Sequence, residues 1–528
     1  MKHSSRVALL LLPSAAVVLM LLLPMLRLAA EGWAGTANES ADWSFITIWQ
    51  DDYLKWRLVW SFAQAAITCV LALVFGLPVA WVLARFDFPG RQLVLRLLML
   101  PFVVPTLVAA LGVLALWGPQ GLLSQALDID LQDTPWLLLY GNLFFNLCLV
   151  IRAGVDALGQ VNAHCVAASR SLGATPWRAF WRVEWPVIVP WLTSSLCLVF
   201  LYCFSGFGLA LVLGGQRYAT VEVEIYTLVA YELKLAQASS LALWMLVLTG
   251  LVALAYAYVE KRLSVSTRIH PVALRQPKTA LNWLAVFGSI AILFFFCAAP
   301  ILAIVWRALL ADSQTWAALL EAETLLALWN TLRFSAVALL IATVLGIAHA
   351  LGTQASVAWR AAAYLPLIAS PVTVAFGLLL LYPAWTASLS LLIAAYAVLA
   401  YPFVAKAMTA GLGSLPDNLS QVARTLGASP ARTFWRVTLP LLSPALRRGM
   451  AFAAATALGE FAVTLFLSRP EWTTLTTLIY QHLGKPGAVN LDTAMLLACM
   501  LMLLSALVFI VLDSREWFGK TTPKQVKS

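Results

Sequence analysis

Residues 172–186 read LGATPWRAFWRVEWP, and residues 426–440 read LGASPARTFWRVTLP. Aligned at an offset of 254, Arg170, Leu172, Gly173, Ala174, Pro176, Arg178, Phe180, Trp181, Arg182, Val183, Pro186 and Pro190 recur as Arg424, Leu426, Gly427, Ala428, Pro430, Arg432, Phe434, Trp435, Arg436, Val437, Pro440 and Pro444. The offset runs on without a gap to Thr220, Ile225 and Tyr226, matched by Thr474, Ile479 and Tyr480. The chain is therefore an internal duplication.

The duplicated stretches lie in an apolar chain. Its 528 residues are 62% apolar and only 11% charged, with mean hydropathy +0.87; soluble domains carry roughly 25% charge. Several windows of about 20 residues hold almost no charge, enough to cross a hydrocarbon core of about 30 Å as helices. They are apolar on every face, which argues against the alternating pattern of a lipid-spanning barrel. The expected fold is an all-α polytopic membrane protein of about 12 transmembrane helices, placed near 7–30, 58–84, 93–117, 136–153, 187–213, 239–259, 281–306, 330–351, 361–382, 384–406, 441–467 and 492–512.

If the N-terminus with Lys2 and Arg6 is cytoplasmic, most of the 34 Lys and Arg fall on the cytoplasmic side and most of the 24 Asp and Glu on the other. That bias is the positive-inside rule and predicts both termini in the cytoplasm. The net charge of +10 then reflects topology, and no nucleic-acid partner is implied. The seven cysteines form no disulfide framework and no CxxC or Cys/His cluster, so no metal site is expected. The first apolar stretch is long for a signal-peptide core, with a poor cleavage candidate at Leu28-Ala29-Ala30, and is read as a retained span.

Six spans per copy return the chain to its starting side, so the two copies are parallel and related by a pseudo-two-fold axis along the membrane normal. The expected organisation is a first repeat at 1–260, a cytoplasmic linker at 261–280 and a second repeat at 281–528. The linker carries Lys261, Arg262, Arg268, Arg275 and Lys278 with Pro271 and Pro277.

Residues 161–172 lack helix breakers. Gly173 stands where a helix needs a left-handed C-terminal residue, and Thr175-Pro176 supplies an N-cap and a first helical position. Gly427, Ser429 and Pro430 repeat that pattern. Arginines beside Trp177, Trp181 and Trp435 suit lipid headgroups. Preservation of the Gly turn and arginine spacing in both copies suits docking to a two-fold symmetric partner.

At these residues the chain resembles the integral permeases of bacterial binding-protein-dependent ABC importers. Their cytoplasmic loop has a Glu-Ala-Ala, three residues, Gly pattern. Here it falls on Ala167-Ala168-Ser169 with Gly173 and on Gln421-Val422-Ala423 with Gly427, and the Glu is missing from both. The resemblance spans nearly the whole chain. It is closest to the fused, two-repeat permeases of the ferric-iron and thiamine importers, through WQDDYLKW (49–56), RFDFPGR (85–91), FFNL (144–147), RVEWP (182–186), ATVEVEIY (219–226) and LGEFAVTLFLSRPEWTTL (458–475).

The resemblance implies the type I importer permease fold in a bacterial inner membrane and transport by alternating access. It implies two copies of a cytoplasmic ABC ATPase, which use ATP and Mg, and a periplasmic or extracellular substrate-binding protein. It assigns ATPase coupling to Ala167, Ala168, Ser169, Arg170, Gly173 and Pro176, and to Gln421, Val422, Ala423, Arg424, Gly427 and Pro430. Membrane lipid is the remaining partner. No cofactor is expected on this chain, and no enzyme activity: the single Gly-Lys-Thr, at Gly519–Thr521, lacks the leading Gly of a phosphate loop because position 514 is Ser. Thiamine or its phosphates and ferric iron are the candidate cargoes.

Glu460 is the acid expected inside a span, where a charge costs about 2.5–3.5 kcal/mol on insertion scales. It reads either as a cavity acid for a cationic substrate or a gate, or as a buried carboxylate bonded to a neighbouring helix. Asn142 and Asn146 share a face of span four and suit interhelical hydrogen bonds or substrate contact. Pro101 with Pro105, and Pro366 with Pro371, interrupt spans three and nine in corresponding places, and such broken helices often line a pathway. The expected pathway residues are Glu460, Asn146, Pro105 and Pro371. His349 reads as structural, and Asp128, Asp130 and Asp133 as a solvated outer loop. The alternative function is an ion-gradient-driven secondary transporter with two six-helix halves.

Overall fold

The computed structural model describes residues 12–34, 47–260, 271–352, 359, 365–386, 388–416, 418–467 and 469–513. Lys2, Arg6, linker positions 261–270, positions 361–364 of span nine and the Gly519–Thr521 triplet lie outside the described residues. The chain is helical, and no strand occurs among the described residues.

Among the described residues, ten helices are long and apolar enough to cross a membrane: α1 (Leu12–Trp33), α2 (Asp52–Arg85), α3 (Thr106–Leu127), α4 (Pro135–Gly159), α5 (Pro176–Phe204), α6 (Leu235–Val259), α7 (Ala280–Leu310), α8 (Ala322–Gly352), α10 (Leu389–Ser414) and α12 (Ala488–Leu512). Two more complete the expected set. Expected span nine is represented by a short turn (Leu365–Ile368) and α9 (Pro371–Leu381), and span eleven by α11 (Leu439–Leu458), whose apolar run is interrupted by Arg447 and Arg448. From sequence, spans five and eleven are expected to run on to residues 213 and 467. Instead α5 stops at Phe204 and α11 at Leu458, and each is followed by a short helix, Gly208–Leu213 or Ala462–Leu467.

Helix α2 gives the scale of the bundle. Its Arg57 pairs with Glu224 (3.1 Å) and its Arg85 with Glu184 (2.6 Å), both with little exposure. At 1.5 Å per residue these ties lie roughly 40 Å apart, enough to bracket a hydrocarbon core of about 30 Å. The Arg85 end carries the duplicated elements and is called the repeat face; the Arg57 end is the far face. On the far face, Ser61 Oγ accepts from the Val221 amide (2.8 Å) and Thr331 Oγ1 from the Leu475 amide (2.9 Å). Equivalent hydroxyls thus anchor equivalent far-face helices, Val221–Ala230 and Leu475–Gly484.

Prolines shape the first helix of each half. Four π-helical turns, Val18–Leu22, Phe180–Glu184, Phe294–Ala298 and Phe434–Thr438, each end two residues before a proline: Pro24, Pro186, Pro300 and Pro440. Proline has no N–H to donate and its ring crowds the carbonyl one turn back, so widening the turn relieves both. The first helix of each half then crosses to the opposite half, α1 onto α9 and α7 onto α3. Glycines make room: a Cβ on Gly377 would stand 3.0 Å from Pro24 Cβ, and one on Gly112 2.9 Å from the Pro300 carbonyl oxygen.

The described end of the linker docks on the first half. The Arg275 N–H donates to the Arg85 carbonyl (3.0 Å), the Asp87 N–H donates to the Arg275 carbonyl (2.9 Å), and Pro271 bridges to Asn162. The Arg275 guanidinium lies over Phe86, 4.8 Å from the ring centroid. Backbone pairing and cation–π stacking therefore hold this segment beside the first duplicated element.

Candidate transport cavity and duplicated docking elements

Four helix breaks converge at the middle of the bundle. Two precede α3 and α9, at Val104-Pro105 and Ala369-Ser370; two follow α5 and α11, at Ser205-Gly206-Phe207 and Gly459-Glu460-Phe461. The prolines act locally as expected: Pro105 stands as the N-cap of α3 and Pro371 starts α9, where a missing N–H leaves no helical bond unmade. Between the breaks is a cavity of about 260 Å³, bordered by Pro105, Asn146, Pro371 and Glu460. All four sequence-derived pathway residues thus meet at one site, although they come from α3, α4, α9 and the residues after α11.

Glu460 is 8% exposed and lies in the break, where the sequence reading placed a continuous span. Its Oε1 accepts from the Val463 amide (3.1 Å), capping the short helix Ala462–Leu467. Its carbonyl oxygen accepts from Thr464 Oγ1 and Thr476 Oγ1, each at 3.1 Å, and from Tyr396 OH at 3.4 Å. The backbone at the break is thereby satisfied by hydroxyls, as non-helical backbone at membrane depth requires. The position equivalent to Glu460 is Gly206, so the acid belongs to one side only.

Asn142 donates to Gln64 Oε1 (2.7 Å), joining α4 to α2. Asn146 donates to the Asn142 carbonyl (2.9 Å), and its own Oδ1 is buried without a protein partner. Both asparagines border the cavity, as do seven aromatic rings: Phe102, Phe145, Tyr202, Phe207, Phe403, Phe452 and Phe461. Most of these rings carry no signal of their own in a chain that is 11% aromatic. Phe207 and Phe461 do, because the 254-residue offset superposes them. Glu222 and Ser370, hydrogen-bonded at 2.7 Å between the halves, were not singled out by the sequence reading. His349 is fully buried, with Nε2 2.9 Å from the Trp359 carbonyl oxygen.

The duplicated elements repeat each other residue by residue. Helix Ala163–Ser171 leads to Gly173 at φ +84°, and helix Asn418–Thr425 to Gly427 at φ +79°. The Ala174 N–H donates to the Ser169 carbonyl (3.1 Å) and the Ala428 N–H to the Ala423 carbonyl (3.0 Å), closing both C-termini. Thr175 Oγ1 and Ser429 Oγ then each accept from an arginine amide, Arg178 or Arg432, at 3.3 Å. Ala167, Ala168, Arg170, Gly173, Pro176, Gln421, Val422, Gly427 and Pro430 are exposed, while Ser169 and Ala423 are partly covered; Arg424 lies on the second helix. The first element also carries exposed Trp177 and Trp181, and the second Trp435.

Residues 72–265 and 342–514 match the family described as "Binding-protein-dependent transport system inner membrane component". The chain belongs to that family. Among its relatives is the thiamine transport system permease protein ThiP of Escherichia coli (strain K12), 28% identical over 500 residues, covering 89% of this chain and 90% of the relative. ThiP of Haemophilus influenzae is also 28% identical, over 88% and 90% of the two chains. ThiP of Brucella abortus (strain 2308) is 27% identical over 87% of each. The chain is thus a fused, two-repeat permease of the binding-protein-dependent ABC importer type, multi-pass and all-α. The permease-family matches cover the stretches holding the cavity helices α3 to α5 and α9 to α11.

Proposed function

We propose that this permease carries thiamine, or a thiamine phosphate, through the cavity bordered by Glu460. The observation that carries the reading is one carboxylate set among aromatic rings where four helix breaks converge. Thiamine combines flat rings with a fixed positive charge. A carboxylate with aromatic faces is the chemistry that receives such a cation. Ferric iron wants several hard oxygen ligands, whereas the cavity lining has a single acid among the described residues. The names of the relatives point the same way.

In this reading the repeat face is cytoplasmic, with both termini on that side, and the segment 261–280 joins two ancestral subunits. Two ATPase subunits dock on the elements built around Gly173 and Gly427, and hydrolyse ATP with Mg. A substrate-binding protein delivers cargo at the far face, and exposed Trp177 and Trp181 sit among lipid headgroups. ATP-driven closure of the ATPases pulls the two elements together and exposes the cavity to the far side. Because neither element bears the Glu of the family's loop, docking depends on the Gly–Pro turn geometry and the exposed helix faces.

The test is uptake of labelled thiamine into proteoliposomes holding the permease with its ATPase and binding protein. Glu460→Gln retains an acceptor for the Val463 amide, so the assembled complex is expected to survive while uptake falls at least about tenfold, the scale of one lost charge-assisted contact. Unchanged uptake by this variant, or ATP-independent accumulation by the permease alone, contradicts the reading.

A further inference from the structure

We infer that Phe207 and Phe461 are the gate that seals the cavity toward the far face, latched by the Glu222–Ser370 hydrogen bond, and that it is shut in this structure. The inference rests on the reading of the cavity as a transport pathway. Phe207 and Phe461 are equivalent under the duplication, and their rings stack on each other, 5.8 Å between centroids and 24° between planes. A residue that touches its own pseudo-two-fold mate lies on the axis, and the axis runs along the pathway between the halves.

The surroundings obey the same symmetry. Tyr226 packs edge-on to Phe207 at 5.6 Å, and its equivalent Tyr480 packs on Phe461 at 5.3 Å. Both phenylalanines border the cavity, and they are only 4% and 2% exposed. Helices α5 and α11 run from the repeat face toward the far face. Lining residues before their breaks, Tyr202, Phe452 and Thr456, keep partial exposure, whereas the gate residues and the lining residues that follow them, Gly208, Leu209 and Ala462, are covered. The seal is therefore on the far side. Each phenylalanine sits in a break between two helices, so a ring can swing without dismantling a helical turn.

The latch is asymmetric. Glu222, on the far-face helix of the first half, is fully buried and accepts from Ser370 Oγ of the second half at 2.7 Å, while its Oε1 has no protein partner. Ser370 is the N-cap of α9, its Oγ accepting from the Thr373 amide at 3.0 Å. The residue equivalent to Glu222 is Thr476, which turns to the Glu460 carbonyl within its own half. One inter-half bond of this kind therefore crosses the gate, and a buried carboxylate with one free oxygen is poised to change partners when the halves part.

Two measurements test this. In proteoliposomes containing the permease alone, ATP-independent leak of choline is expected to rise about tenfold for Phe207→Ala/Phe461→Ala, the scale of one aromatic pair, and by a smaller factor for Ser370→Ala. In the complete transporter on a cysteine-free background, Phe207→Cys/Phe461→Cys joined by a short thiol cross-linker should lose ATP-driven uptake and regain it on reduction. The cross-link reports on the folded protein even where the alanine pair assembles poorly. Cross-linked transporter with undiminished uptake overturns the gate, as does a folded alanine pair with wild-type leak. Choline leak requires neither thiamine nor ATPase. A leaky alanine pair in a permease that moves no thiamine therefore supports the gate and rejects the cargo.

Discussion

At the residue scale, two positions carry more of the account than their size suggests. Gly173 and Gly427 hold φ near +80° with nothing within 4 Å of a built Cβ, so the objection to a side chain there is conformational and not steric. Forcing a non-glycine residue left-handed costs roughly 1–2 kcal/mol, concentrated in an exposed turn. Gly173→Val with Gly427→Val is expected to lower thermal stability in detergent only by the scale of that local strain while abolishing co-purification with the ATPase; retained co-purification would remove these turns from the docking surface. Glu460 caps a short helix and borders the cavity. Glu460→Ala should therefore lower stability by about 1 kcal/mol, the usual value of a lost cap, beyond what Glu460→Gln does, measurable as a difference in melting temperature. The glycine turns were legible in the sequence because a left-handed position followed by a capping hydroxyl and a proline has few other solutions. The capping role of Glu460 was not, because a break in an apolar run leaves no mark in hydropathy.

At the element scale, the positions of the helix breaks follow one rule and escape another. Pro105 and Pro371 announced the interruptions before α3 and α9, since each lacks the N–H a continuing helix would need. The breaks after α5 and α11 involve Ser205-Gly206-Phe207 and Gly459-Glu460-Phe461, with no proline, and the sequence reading carried both spans straight through them. Expected span nine is divided at Pro371, where α9 starts, and its positions 361–364 lie outside the described residues. Tertiary packing supplies what local pattern does not: α1 and α7 cross onto the opposite half through Gly377 and Gly112. A valine at Gly112 would meet the Pro300 carbonyl oxygen, and overpacking of this kind costs about 1–3 kcal/mol. Gly112→Val should lower the melting temperature, whereas Gly250→Val, with nothing within 4 Å of the built Cβ, should not. Loss of the Arg57–Glu224 tie is the larger effect expected on the far face. Arg57→Ala leaves a buried carboxylate without its cation, a change worth about 3–5 kcal/mol, read by the same melt.

At the scale of the whole molecule, duplication produced two halves that match in backbone and differ in chemistry. The Gly-turn elements, far-face anchors and stacked phenylalanines are equivalent pairs, so the pseudo-two-fold axis inferred from the offset also organises the cavity. Charge breaks that symmetry. Glu460 corresponds to Gly206 and Glu222 to Thr476, and the described end of the linker reaches the first Gly-turn element through Pro271. A symmetric frame suits a symmetric ATPase pair, while a single cavity carboxylate suits one small cation. The frame was readable from repeats and proline positions; the assembly of Pro105, Asn146, Pro371 and Glu460 around one cavity was foreseeable only as a list, because their juxtaposition depends on how the halves interlock. The most direct measurement is labelled-thiamine uptake into proteoliposomes reconstituted with this permease, its ATPase and its binding protein, with and without ATP. Uptake is expected only with ATP and all three components, and is sharply reduced by Glu460→Gln. Uptake by the permease alone without ATP, or a complete ATP-hydrolysing complex that leaves thiamine outside, would contradict it.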